Sequence, residues 1–421
     1  MTGSGRGYKN EMSTPPRLHS GHLPFQGRYT EEALSGRRSW IAEQTGVDLS
    51  ALGGGPPPAS AIEGNIENHV GYVQIPVGVA GPLRIDGEFA QGTFFVPLAT
   101  TEGALVASAS RGARAITESG GARVRVISDQ MMRSPSFIFR SLVDSVAFAS
   151  WVRNEESAIR AIAESQTRHG RLLSCEPTVL GDTVCLLMSY DTGDAYGANM
   201  VMRCNWAVCN YIVSAFPAQS GREILDHYVD SNMGAEKKIS FFTYTTSMRG
   251  KRVVAEAKLD RSVTKSVLRT TPEDLFEAFV AGITPTAAAG SMGVNVNFSN
   301  VVAAIFAACG QDIATVPESA QGQLNFRLES DGLYFGCLMP NIVVGTVGGG
   351  TALPAQSAAL DMMGCKGTGG AKKLAEIVCA TCLALDLSTF SAICSDHFVR
   401  AHEKLGRNRP KTGPLGLPPQ V

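Results

Sequence analysis

The order of periodicities between residues 134 and 228 constrains this chain more than any other stretch. FIFRSLV reads as a strand and VAFASWVRNEESAIRAIAESQTRHG as one or two helices. LLSCEPTVLG and TVCLLMSYD follow as strands, and a helix is expected near 197–215. Apolar residues that alternate mark the strands, and those recurring every three to four mark the helices. A β–α–β–β–α succession of this kind is a compact α+β unit of the split βαβ type.

The flanks have a different texture. TEEALSGRRSWIAEQTG (30–46) reads as a short helix stopped by Gly46, and GGGPPPAS (53–60) as a linker. ENHVGYVQIPVGVAGPLRIDG (67–87) suggests a strand and turns. Residues 99–121 read as a helix, with Thr100 and Thr101 as N-caps and Gly120–Gly121 as its stop. Residues 239–258 read as strands. Helices rich in alanine and glycine are then expected at 272–290, 300–309, 352–363 and 369–385, with a last one over 389–404. Residues 1–25 and the tail RNRPKTGPLGLPPQV have the composition of disordered segments.

Composition narrows the classes of partner. The chain has 421 residues, with 37 Lys and Arg against 38 Asp and Glu. No global field draws it to nucleic acid or to an anionic membrane. Residues 1–30 are polar, and no uninterrupted apolar run approaches the roughly 18 residues of a membrane span, so a cytoplasmic protein is expected. The ten cysteines sit mostly in apolar runs, as reduced, buried thiols do. Cys379 and Cys382 have CxxC spacing but no second ligand pair, so no metal is expected.

Several segments have chemical potential. MPNIVVGTVGGGTALP (339–354) offers backbone N–H groups before a helix, where anions bind, though glycines also serve close packing. In DAYGANM (194–200), Asp194 and Asn199 suit either a ligand or a helix start. Lys237 and Lys238 are ordinary surface lysines unless one is buried beside a carboxylate, where it would polarise a carbonyl. Asp312 follows the negative end of the 300–309 helix, a setting unfavourable by about 0.3–1 kcal/mol that hints at a cation nearby, though a solvated loop aspartate is the default. Glu102 lies at a helix start and would need burial to act as a proton donor. His397 and His402 are five residues apart, about 140° on a helix, so they do not share a face as metal ligands.

Together these blocks form an ordered series. ENHVGYVQIPVGVAGPL, TTEG with RGARAI, DAYGANM, the lysine pair, RGKRVVAEA, GSMG, NVVAAIFAACGQD, MPNIVVGTVGGGT and HFVRAHEKLGR resemble, in that order, the signature blocks of the HMG-CoA reductases. The resemblance spans about residues 67–407 and looks like the eukaryotic and archaeal class. It implies an α+β fold in which a large, helix-rich CoA-binding domain is interrupted by a small ferredoxin-like NADPH-binding domain. The implied organisation is an N-terminal segment (1–66), a large domain (67–133 and 240–408), a small domain (134–228), a catalytic loop (229–239) and a tail (409–421).

The implied activity is NADPH-dependent reduction of (S)-HMG-CoA to mevalonate and CoA through hemithioacetal and aldehyde intermediates. The catalytic quartet would be Glu102, Lys237, Asp312 and His402. Lys237 would stabilise the oxyanion, Asp312 would hold it charged and tie it to Glu102, Glu102 would supply a proton, and His402 would protonate the departing CoA thiolate. Arg133 would grip the substrate carboxylate, with Lys238 and Asn300 on the substrate side and Arg111 on the CoA side. Thr167 and Arg168 match the pair that holds the 2′-phosphate of NADPH. Asp194, Gly197, Ala198, Asn199, Met200 and Gly348, Gly349 and Gly350 would line the cofactor cleft. A homodimer or homotetramer with active sites between subunits is also implied.

The chain departs from the family pattern at Glu236, where aspartate is usual, and at Ala281, where a substrate lysine is usual. Ser110 replaces an asparagine, Asn297 a histidine, and Asn408 a serine that many eukaryotic relatives phosphorylate. The same chemistry on a different 3-hydroxyacyl-CoA, and a catalytically silent CoA-binding homologue, remain as alternatives.

Overall fold

A computed structural model describes residues 23–395. After helix α1 (Glu31–Thr45) come strands β1 (Val77–Gly87) and β2 (Gln91–Ala99), helix α2 (Leu105–Glu118) and strand β3 (Ala122–Arg133). Then follow β4 (Ser136–Ile138), α3 (Leu142–Asn154), α4 (Glu156–Ser165), β5 (Arg171–Leu180), β6 (Thr183–Asp191), α5 (Ala198–Ser220) and β7 (Asp226–Tyr228). The chain continues through α6 (Phe241–Thr246), β8 (Arg249–Asp260), the short α7 (Arg261–Val263), α8 (Pro272–Ala288), α9 (Phe298–Cys309) and α10 (Val316–Ser319). The described residues end with β9 (Gln323–Glu329), β10 (Gly332–Ile342), α11 (Pro354–Met362) and α12 (Ala371–Cys394).

One ten-stranded sheet runs β7–β4–β6–β3–β8–β10–β9, with β5 on β6, β1 on β3 and β2 on β1. Within the 134–228 stretch the order is β7–β4–β6–β5, all pairs antiparallel. That is the ferredoxin-like arrangement of a split βαβ pair. Strands β4–β6 and helices α3–α5 enclose one apolar core, including Phe137, Phe148, Leu186, Val208 and Phe216. A larger core joins β1–β3 and β8–β10 to α2, α9 and α12.

Helix α12 is the pillar of the larger core. Every residue from Leu374 to Ala392 is buried. By length and composition it could cross a membrane, but in this fold it is wrapped by protein. Its polar residues hold its neighbours. Glu376 accepts the backbone N–H groups of Glu88, Phe89 and Ala90 at the β1–β2 turn. Asp386 accepts those of Val296 and Asn297 ahead of α9. Gly112 of α2 packs so closely on it that a Cβ there would lie 1.7 Å from the Ala384 carbonyl oxygen. Only glycine permits that approach.

Four local expectations change. Residues 241–246 form helix α6 instead of strand: Ser240 caps it, and Thr245 and Thr246 donate back to the Phe241 and Phe242 carbonyls. These local bonds override the β propensity of FFTYTT. Neither Thr100 nor Thr101 caps α2. Ala104 in the left-handed region does, and Thr100 accepts the Glu102 N–H. Residues 369–385 and the start of 389–404 are one helix through Cys394, because the apparent break at Asp386–Ser388 is polar side chains with buried partners. In the 67–87 segment, strand begins only at Val77.

Candidate active site

The loop carrying the lysine pair crosses from β7 to α6. Asn232, Ala235 and Lys237 all have positive φ, +60° at Lys237. Such backbone costs energy in a non-glycine residue and persists only where its surroundings hold it. Here the hold is Glu318 of α10, whose carboxylate accepts the Lys237 N–H at 3.1 Å. Glu318 is itself fully buried and forked by Arg249 of β8, at 3.0 and 3.1 Å. Burial alone would lower the Arg249 pKa, but the charge and hydrogen bonds of Glu318 override it and the net shift is upward. Arg249 also donates to the Met132 carbonyl. Tyr196 donates to Glu236 at 2.6 Å, and burial followed by that bond raises its phenol pKa.

The lysine side chain points to the end of α9. Lys237 Nζ lies 2.9 Å from Asp312 Oδ2, so the cation beside Asp312 is Lys237. The other Asp312 oxygen accepts the Ala314 N–H, which fixes the carboxylate. Glu102 is exposed in the single chain. Asn300, in the first turn of α9, donates to its Oε2 at 2.7 Å. Lys237–Asp312 thus sits at one end of α9 and Glu102–Asn300 at the other. His402, like His397, lies outside the described residues.

Arg133 ends β3 and is nearly buried. It meets Asp230 at 2.6 Å and Glu236 at 2.7 Å. Lys238 is exposed and donates to the Glu236 carbonyl. Arg111 donates to the side chain and the carbonyl of Ser388 on α12, and burial, then the nearby Arg269, lowers its pKa. Ala281 is exposed on α8 between exposed Val280 and Ile283, so this turn presents an apolar surface.

A second group of motifs converges beside the first. Gly350 and Gly310 pack backbone to backbone: a Cβ on Gly310 would lie 2.3 Å from the Gly350 carbonyl oxygen. Gln311 accepts the Gly345 N–H, and the Asp194 carbonyl accepts that of Thr346. The TVGGG loop therefore joins the GQD turn to the start of α5. Gly348 and Gly349 have positive φ and open space where a Cβ would stand. The N-cap of α5 is Gly197 at φ +83°, with no side chain bonding the first-turn N–H groups of Ala198, Asn199 and Met200. Thr167 bonds Met200 Sδ and the N–H groups of His169 and Gly170, and Arg168 beside it is exposed. The two oxygens of Asp194 accept the Gly369 and Ala371 N–H groups, which ties the start of α12 to the α5 turn.

Sequence reasoning assigned no role to Glu318, Arg249, Tyr196 or Asp230. Arg249 stands in the RGK block, so its place in a signature was visible. Glu318, in VPES, carries no local signal at all.

Comparison with known proteins places this arrangement. The family profile described as hydroxymethylglutaryl-coenzyme A reductase matches residues 33–407. A 3-hydroxy-3-methylglutaryl-coenzyme A reductase of Aeropyrum pernix is 43% identical over 388 residues, 90% of this chain and 91% of the relative. That of Methanocaldococcus jannaschii is 40% identical, covering 88% of this chain and 92% of the relative. A solved class II 3-hydroxy-3-methylglutaryl-CoA reductase of Streptococcus pneumoniae, bound to NADPH, superposes with a TM-score of 0.69 at 18% identity, over 85% of this chain and 96% of that one. The last shows the fold; the sequence matches go further, and the chain belongs to the hydroxymethylglutaryl-coenzyme A reductase family.

Proposed function

We propose that this chain reduces (S)-3-hydroxy-3-methylglutaryl-CoA to mevalonate and CoA, using two NADPH. The observation that carries the reading is the Lys237–Asp312 pair, held by a strained, buttressed loop at the end of α9. A lysine fixed in this way is an electrophile ready for the oxygen of a carbonyl under attack, and needs no reorganisation as charge develops. Asp312, 2.9 Å away, orients the ammonium. Glu102, oriented by Asn300, is assigned the proton for the aldehyde oxygen; it lies at the far end of α9 from the Lys237 of its own chain, so it serves the lysine of a second copy. His402 is assigned protonation of the CoA thiolate.

The residues present fit NADPH. The uncapped start of α5 and the open Gly348–Gly349 turn offer backbone N–H groups to a pyrophosphate. Arg168, exposed beside Thr167, suits the 2′-phosphate. When bound, the cofactor supplies hydride. Arg133 and Lys238 bind the acyl end, and Arg111 the CoA end.

We assign the protein to the cytosol and to a homodimer or a dimer of dimers. Ile66, Val70, Val73 and Ile75 stand exposed ahead of β1, as do Ile239 and Phe241 beside the lysine pair. A second copy would cover such apolar surface. The deciding experiment follows NADPH oxidation by the purified protein with HMG-CoA and identifies the product. Two NADPH consumed per CoA released, with mevalonate formed, is the expected result. No oxidation, or a different alcohol, overturns the reading.

A further inference from the structure

The guanidinium assigned to the substrate's carboxylate already holds carboxylates of its own. Arg133 Nη1 donates to Asp230 Oδ2 at 2.6 Å, and Nη2 lies 2.7 Å from Glu236 Oε2. One cation thus faces two anions before any ligand arrives. A third carboxylate brought to the same fork meets net negative charge.

The two anions differ in how firmly they are held. Glu236 is gripped from several sides: by Arg133, by the Tyr196 hydroxyl at 2.6 Å and by Arg249 at 3.8 Å. Its side chain is 19% exposed. Asp230 is 31% exposed, and its other oxygen has only the N–H of Asn232, in the same loop, at 3.2 Å. Asn232 is one of the loop's three residues with positive φ. Asp230 is therefore the partner that can leave.

We propose that Asp230 is an internal stand-in for the substrate's distal carboxylate. It occupies the Arg133 fork in the free enzyme, and an acyl-CoA with a carboxylate at its far end must displace it. It is a specificity-determining residue, since it taxes carboxylate-bearing acyl groups and leaves uncharged ones untouched. The inference rests on the proposed function for the identity of the acyl group. Its geometry stands on Arg133, Asp230 and Glu236 alone.

The test compares the wild type with Asp230→Asn, which keeps an acceptor for Arg133 and removes the charge, and with Asp230→Ala, which removes both. The expected result for Asp230→Asn is a KM for HMG-CoA lower by about tenfold, the equivalent of about 1.4 kcal/mol, with the change carried by KM and not by kcat. Free 3-hydroxy-3-methylglutarate inhibits the variant more strongly in parallel. The KM for 3-hydroxybutyryl-CoA, which lacks the carboxylate, does not fall. Calorimetric titration of HMG-CoA into each protein needs no turnover, so it separates the two failures. A wild type that binds but does not reduce HMG-CoA sinks the proposed reaction alone. An affinity that is unchanged or weaker in both variants, at an unchanged thermal midpoint, sinks the stand-in and makes Asp230 a support for Arg133. A lowered midpoint with weaker binding in both variants does the same.

Discussion

Lys237 and Asp312 show what a single contact demands of the residues around it. A lysine ammonium near the surface is usually mobile, and here both backbone and side chain are fixed. Truncation by Lys237→Ala should lower kcat by about a hundredfold to a thousandfold, the size typical of losing one oxyanion donor. The support behind it is testable separately. Glu318 and Arg249 are fully buried and paired, so Glu318→Gln leaves a buried guanidinium with only Glu236, at 3.8 Å, as counter-charge. Breaking such a pair typically costs about 3–5 kcal/mol. A urea titration should show that loss as a lower midpoint, and a midpoint equal to wild type would show that the pair contributes nothing. The Lys237–Asp312 pairing was partly legible in the sequence, because a carboxylate past a helix C-terminus calls for a cation. Neither Glu318 nor Asp230 was legible. Glu318 is 81 residues from Lys237 and 69 from Arg249, and Asp230 is 97 from Arg133, so only the fold brings them together.

At the scale of elements, α12 concentrates the polar interactions of the larger core. Asp386 is its most exposed to pH in effect, though not in space. Burial drives its carboxyl pKa up to about 7, while the Val296 and Asn297 N–H groups pull the other way. A carboxyl that holds its proton more tightly folded than unfolded favours the fold at low pH. Stability should therefore fall as pH rises from about 4 to about 7 and level off above. Asp386→Asn should flatten that slope in thermal unfolding measured across the range; a slope equal to wild type would mean that another group sets it. The helices around α12 were mostly legible, since stops such as Gly310 are local signals, but strands β2, β3 and β9 drew no reading. Helix α6 was not, because FFTYTT has the composition of a strand and a cap at Ser240 decides otherwise. The continuity of α12 past Asp386 was hidden for the opposite reason. Polar residues that mark a break in an exposed helix are tolerated in a buried one when their partners come from other elements.

The whole molecule leaves apolar side chains in water. Val70 and Val73 are almost fully exposed, and Phe241 is 72% exposed. In sedimentation analysis the wild type should be at least a dimer. Val73→Asp should shift it toward monomer and lower activity together, with the monomer's secondary structure intact. A variant that becomes monomeric yet keeps full activity would show that each chain carries a complete site.

The two cores also differ in when they can close. The smaller one draws nearly all its buried residues from 131–216, with Val343 the exception. The larger one cannot be finished without α12, which ends at residue 394. On a ribosome, synthesis proceeds at roughly 5–20 residues per second and domains fold as they emerge. The ferredoxin-like unit can therefore form while most of the large core is still being made. The apolar faces of β1, β2, α2 and α9 must wait, unsheltered, for α12 to arrive. A chain released before residue 394 was made would have one finished body and one with its apolar faces open, the kind of product that holdase chaperones and proteases recognise.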